Sequence, residues 1–146
     1  MSFPDVIADD LPVAEFGFPG PLRDNLVCAI LSGEKTTTTG LLAAYEYEGE
    51  AVPEPGRREA VVDSAGNRVA VIEITEVDII PVREVTADFA RDEGEGYETV
   101  ERWREAHQRF FQGDEMRAAL GGTVPEFEDD SLVVAVRFRL AERLLS

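Results

Sequence analysis

The stretch Arg68-Val69-Ala70-Val71-Ile72-Glu73-Ile74-Thr75-Glu76-Val77-Asp78-Ile79-Ile80 reads as one long β-strand. From Ile72 to Ile79 apolar residues alternate with polar ones, the period of two expected of a sheet with one wet face. Just upstream, the turn residues Asp63-Ser64-Ala65-Gly66-Asn67 join it to a strand over residues 58–62, making a hairpin. Downstream, Thr86 stands as a helix cap with Asp88 in the first turn, and that helix carries Phe89 and Ala90 to Gly94. A second helix after Gly96 brings Val100, Trp103, Ala106, His107, Phe110 and Phe111 round at intervals of three and four. The spacing sets an aromatic stripe against the core. Residues 131–140 read as a final strand.

Toward the N-terminus, Pro21 at a first-turn position opens a helix that presents Leu22, Leu26, Ala29 and Ile30 and closes at Gly33. Residues 41–47 give either a short helix or an irregular flap, closed by Gly49 and the turn Pro53-Glu54-Pro55-Gly56. Residues 1–20, with Pro4, Pro12 and Pro19 among acids, form an extended lead-in held down by Phe16 and Phe18. There is no repeat and no linker. The pattern predicts a single α+β domain over residues 1–146, with residues 1–15 as the lead-in and a small, mixed, barrel-like sheet at its centre.

Composition narrows the function. The chain has 146 residues, enough for one core, and one cysteine, so there is no intramolecular disulfide and no cysteine-based zinc cage. One histidine and the absence of a calcium-loop spacing leave no expected metal or cofactor. Thirty acids against fourteen Lys and Arg give a net charge of −16. That field disfavours RNA or DNA, whose binding rests on phosphate neutralisation, unless one cleft is locally basic. The first 20 residues lack a basic region and a long apolar run, so no targeting or membrane segment is expected and a cytoplasmic location is. Cys28, in an apolar stretch, is expected to be a reduced core residue.

The fourteen positive residues comprise thirteen Arg and one Lys, Lys35. An ammonium can lose its proton when buried and a guanidinium cannot, so the exception invites a chemical reading. Lys35 stands in Gly33-Glu34-Lys35-Thr36-Thr37-Thr38-Thr39, beside four hydroxyls. If the segment is extended, Lys35, Thr37 and Thr39 share a face; if it loops, Lys35 and Thr38 converge. Either way an amine lies near a hydroxyl, the minimum for an activated nucleophile.

The motif Gly33-x-Lys35-x-x-Thr38 resembles the G-x-K-x-x-T signature of the ASCH domain family, whose fold is a PUA-like β-barrel flanked by helices. Ile30-Leu31-Ser32-Gly33-Glu34-Lys35-Thr36 is similar to that family's helix-to-loop entry. Val85-Thr86-Ala87-Asp88-Phe89-Ala90-Arg91-Asp92-Glu93-Gly94-Glu95-Gly96, with Trp103-Arg104-x-x-His107-x-x-Phe110-Phe111, looks like its longer bacterial branch. The similarity runs over residues 16–140. It implies a cleft beside the barrel that handles nucleosides or RNA. Small bacterial members include amidohydrolases of acetylcytidine that use a Lys and a Thr of the motif with a Glu from the following helical segment, and other members are associated with ribonuclease activity.

By that resemblance the catalytic candidates are Lys35, Thr38 and Glu93, with Asp92 and Glu95 as less favoured alternatives to Glu93. Thr36, Thr37 and Arg57 are the substrate-binding candidates. The implied activity is hydrolysis of the amide of an acylated pyrimidine nucleoside, with an RNA-binding or ribonuclease module as the alternative. In chemical terms, Thr38 serves as nucleophile or as donor to the tetrahedral oxygen, with Lys35 as base and Glu93 as acid/base for the leaving amine. If instead the attraction of Glu93 keeps Lys35 charged, the lysine becomes the oxyanion stabiliser and Glu93 the base. His107 and Trp103 are expected to be packing residues of the aromatic stripe. Residues 126–130 are expected to be a solvated acidic turn.

Overall fold

A computed structural model describes residues 10–144; the part of the expected lead-in before residue 10 lies outside them. In chain order the elements are β1 (Val13–Ala14), α1 (Pro21–Ser32), β2 (Thr37–Leu41), α2 (Leu42–Glu48), β3 (Arg58–Val62), β4 (Arg68–Pro81), α3 (Ala87–Asp92), α4 (Val100–Phe111), α5 (Asp114–Ala119) and β5 (Leu132–Arg143). One five-stranded sheet runs in the order β1-β3-β4-β5-β2. The β1–β3 pair is parallel and the others are antiparallel. Its spine is the long strand over residues 68–80, which pairs with β3 on one side and β5 on the other. Register shifts between Val71 and Ile72 and between Ile74 and Glu76 mark bulges, which bend a long strand and increase its twist.

Over residues 133–136 strand β5 is apolar on both faces because both are covered there. Val134, Val136 and Phe138 join a core with Phe16, Ile30, Val61, Ile72 and Ile74. Val133 and Ala135, one step out of phase, join a second core with Leu41, Phe89, Trp103, Phe111 and Phe127. The alternation of side chains along one strand therefore divides the interior in two. Helices α3 and α4 lie over the second core, each with a threonine cap: Thr86 accepts from the N–H of Phe89, and Thr99 from that of Arg102.

The segment left open as helix or flap is helix α2, ended by Gly49 in the left-handed conformation. Helix α5 was not legible in the sequence, being only six residues long and without a buried position. The buried stripe of α1 differs from the expected one, consisting of Arg23, Leu26, Val27 and Ile30. Arg23 belongs to it because its guanidinium donates to the carbonyls of Phe16 and Gly17, tying the lead-in to the helix. That phase turns Leu22 and Cys28 outward. Cys28 is exposed rather than a core residue, and Leu22 is 42% exposed. The acids of the turn over residues 126–130 are exposed, as expected of a solvated turn, with Asp129 paired to Arg104 and Asp130 to Arg83 at the surface.

Candidate active site

The chain between α1 and β2 is fixed by its backbone. Gly33 closes the helix in the left-handed region, and the N–H of Lys35 donates back to the carbonyl of Ala29. The N–H of Thr36 then donates to Asp92 at the end of α3. Gly94 makes this contact sterically feasible. At φ +71° a Cβ there would lie 2.7 Å from both the carbonyl carbon and the oxygen of Glu34. Only glycine lets the end of α3 press on the lysine segment so closely.

The segment is extended, so Lys35, Thr37 and Thr39 all turn toward the α3 end of the site. Thr37 is fully buried and its hydroxyl donates to the carbonyl of Phe89. Thr39 donates to Oε2 of Glu93 at 2.7 Å. Lys35 is 2% exposed, and its Nζ lies 2.8 Å from the carbonyl of Thr37, 3.3 Å from that of Glu93 and 3.4 Å from Oε1 of Glu93. Three accepting oxygens match the three protons of an ammonium.

Glu93, 1% exposed, is the hub. Its Oε2 receives the hydroxyl of Thr39, the indole N–H of Trp103 at 2.7 Å and Nε2 of His107 at 3.2 Å, while Oε1 faces Lys35. Burial alone would raise the pKa of this carboxyl. The charges of Lys35 and His107, with hydrogen bonds from His107 and Trp103, outweigh it and hold the group down to about 2. Glu95 stands 3.8 Å from Lys35 and accepts from the Tyr97 hydroxyl at 3.2 Å. Burial pushes its pKa up, Lys35 pulls it down and the charge of Glu93 adds to the rise. Asp92, the other alternative, points away into a pair with Arg137 at 3.0 Å.

A cavity of about 590 Å³ opens on this centre. Lys35, Thr38, Glu93 and Arg57 line it, together with Thr39, Glu95 and His107. The hydroxyl of Thr38 has no hydrogen-bond partner among the described residues. Thr36 and Thr37, expected to hold substrate, are not among the lining residues; the backbone of Thr36 and the hydroxyl of Thr37 tie β2 to its neighbours instead. Arg57 pairs with Glu59 at 2.8 Å. Arg23, also on the wall, pairs with Glu15 at 3.4 Å. With Glu48, Glu50 and Glu95 on the same wall, the cavity is not a basic groove. Among the described residues no group of three or more His, Cys, Asp or Glu side chains is placed to hold a metal ion. No helix among them is long and apolar enough to cross a membrane.

Thr39, Trp103 and His107 were not picked out as site residues. The signal for Thr39 was present, since an extended segment puts it on the face of Lys35. Trp103 and His107 stand four apart on a helix and read as packing, which they also are: the rings stack with centroids 4.2 Å apart.

The family model of the ASCH domain matches residues 13–142. Among solved structures, protein EF3133 from Enterococcus faecalis V583 is 30% identical, with a TM-score of 0.77 over 90% of this chain and 77% of that one. The ASCH domain from Lactobacillus crispatus JV V101 is 29% identical, with a TM-score of 0.75 over 97% of this chain and 87% of that one. Hypothetical protein PH0355, 15% identical, shares the fold at a TM-score of 0.52 over 87% of this chain and 99% of that one. No curated protein matches.

Proposed function

This chain belongs to the ASCH domain family, with its PUA-like fold, and we propose that it is a hydrolase of the amide in an acylated pyrimidine nucleoside such as acetylcytidine. The observation that supports this reading is that Thr38, one step out of phase with Thr37 and Thr39 on β2 and without a hydrogen-bond partner among the described residues, lines the same cavity as the Lys35–Glu93 ion pair. About 590 Å³ is ample for a nucleoside, since ligand pockets run from about 300 to 1,000 Å³. The acids on the wall, and the pairing of Arg23 and Arg57 to two of them, favour an uncharged substrate over a polyanion such as RNA.

In the proposed reaction Thr38 Oγ attacks the acyl carbon and its proton passes to Glu93. The carbonyl oxygen becomes an oxyanion, and the Lys35 ammonium stabilises it. As that anion forms, it neutralises the field of Lys35, and Glu93, no longer facing a bare cation, gains proton affinity when a base is needed. Collapse breaks the C–N bond, the leaving nitrogen takes the proton from Glu93, and the acyl group remains as an ester on Thr38. Water then attacks the ester, giving one proton to Glu93, which returns it to Thr38 as the acid departs. This division of labour makes Lys35 the charge stabiliser and Glu93 the base, the arrangement that three acceptors around Nζ support.

The test is incubation of the purified protein with acetylcytidine, followed chromatographically. Cytidine and acetate are the expected products, with turnover abolished in Lys35→Ala. Failure of the wild type to release cytidine, or full turnover in the variant, overturns the reading.

A further inference from the structure

His107 is the only histidine of the chain, and both its ring nitrogens face acceptors. Nδ1 lies 2.8 Å from the main-chain carbonyl of Trp103, which has no proton to give. Nε2 lies 3.2 Å from Oε2 of Glu93. That oxygen already accepts the indole N–H of Trp103, a group that can only donate, so it too is an acceptor. A neutral imidazole carries one N–H and would leave one of these contacts as acceptor against acceptor. An imidazolium satisfies both. The flat stack on the indole of Trp103, with 25° between the planes, is one that an aromatic face offers to a cation.

The groups packed around the ring bear on the same point. From the end of α3 comes Glu93, and from the loop after it come the Glu95 carboxylate and the ring of Tyr97, 5.8 Å away and tilted. Helix α4 itself supplies Trp103 and, one turn on, the ring of Phe111. Lys35 stands beyond Glu93 as the opposing cation. Burial disfavours a charge here, but Glu93, the Trp103 carbonyl and Glu95 outweigh it and raise the histidine pKa above its ordinary value.

We propose that His107 is a positioning residue that acts as an imidazolium, fixing Oε2 of Glu93 so that Oε1, on the Lys35 side, is the oxygen that exchanges protons, and thereby setting the alkaline limit of the reaction. The first half concerns the resting protein; the second rests on the hydrolase reading above. Loss of the proton turns one ring nitrogen into an acceptor against an acceptor. Glu93 then loses either its direct tether or the anchor that holds the ring in place, and its working oxygen is no longer fixed.

With one histidine, ring nitrogen-15 NMR of the full chain reads this group without assignment. Both nitrogens protonated at neutral pH, and a titration midpoint above the ordinary histidine range that falls in Glu93→Gln, are the expected results. A ring that is a single neutral tautomer at neutral pH overturns the proposal, whatever the activity. Turnover of acetylcytidine against pH gives the second readout. His107→Gln, whose amide can still donate to Glu93, keeps more activity than His107→Ala and loses the alkaline fall seen in the wild type. Misplacement of the carboxylate in the alanine variant lowers turnover by about 100-fold. An unchanged alkaline limb in the glutamine variant overturns the positioning role. A wild type that turns nothing over while its ring is doubly protonated overturns the hydrolase reading and leaves the imidazolium standing.

Discussion

The indole Nε1 of Trp103 donates to Oε2 of Glu93 across 2.7 Å, with the indole fully buried and the carboxylate 1% exposed. One side chain of the aromatic stripe thus serves the core and the site together. Its ring fills the space under β5, and its one polar atom points at the group on which Lys35, Thr39 and His107 converge. Packing and chemistry are coupled at this residue.

Trp103→Phe keeps most of the ring and removes the N–H. Loss of a hydrogen bond to a buried charge, together with the smaller ring, lowers stability by about 2–4 kcal/mol. Urea denaturation reads this as a lower midpoint with unchanged slope. A midpoint equal to that of the wild type would show that the indole hydrogen bond contributes nothing.

In the proposed reaction Thr38 is the nucleophile, and Thr39 is the tether of Glu93. Thr38→Val removes a hydroxyl with no intramolecular partner, so turnover of acetylcytidine is abolished while stability stays within about 0.5 kcal/mol. Thr39→Val removes a donor to Glu93 and lowers stability by about 1–3 kcal/mol, with turnover reduced but measurable. The reverse ranking in the turnover assay assigns the nucleophile to Thr39 instead.

The Lys35–Glu93 pair is expected to cost more when half-removed than when absent. Lys35→Met leaves the buried carboxylate with His107 as its one remaining cationic partner among the described residues, a loss of about 3–5 kcal/mol. In Lys35→Met with Glu93→Gln most of that stability returns, while turnover does not. Urea melts of the two single variants and the double variant close the cycle, and additive losses would show that the two groups are uncoupled.

Stability depends on pH from both sides of the same contact. Glu93 has a folded pKa depressed to about 2, so its contribution is complete above the ordinary carboxyl value of 4.5 and is lost as pH falls through that interval. The depression corresponds to about 3 kcal/mol. His107 has a raised pKa, so its contribution is complete below the ordinary value of 6.5 and is lost as pH rises through its folded value. Urea midpoints across pH therefore form a plateau that falls at both ends, and His107→Gln removes the alkaline fall. Because the pair is buried, 0.5 M salt leaves both edges nearly unmoved.

Gly94→Ala places a Cβ 2.7 Å from the Glu34 carbonyl at a φ of +71°. Backbone strain and the clash together lower stability by about 1–3 kcal/mol. For a chain of this size that is a fall in melting temperature of about 2–12 °C, read by circular dichroism. Turnover falls as well, because the end of α3 that carries Glu93 must back away from Lys35. A variant as stable and as active as wild type would show that the close approach is not required.

The sequence was legible where one local rule decided. Thr86 and its first turn determined where α3 begins, and Gly33 where α1 ends. Periodicity from Ile72 to Ile79 identified the central strand. Cys28 was misread because an apolar run does not state its phase: the buried stripe begins at Arg23, and only the carbonyls of Phe16 and Gly17, brought there by the fold, make burying an arginine favourable. Thr36 and Thr37 looked like ligands for a substrate because hydroxyls beside a lysine advertise chemistry. Their polar groups instead meet backbone partners on α3 and β5.

By itself the sequence determined the α+β architecture and the acidity that disfavours a polyanion, because these depend on residue type and short-range spacing, while the candidates Lys35, Thr38 and Glu93 came from its resemblance to the ASCH domain family. Only the tertiary structure decided that Oε2 of Glu93 is held by Thr39, Trp103 and His107, three residues drawn from β2 and α4. A buried carboxylate needs donors from wherever the fold can bring them, and contacts between residues 10 to 54 positions apart follow from packing, not from local pattern.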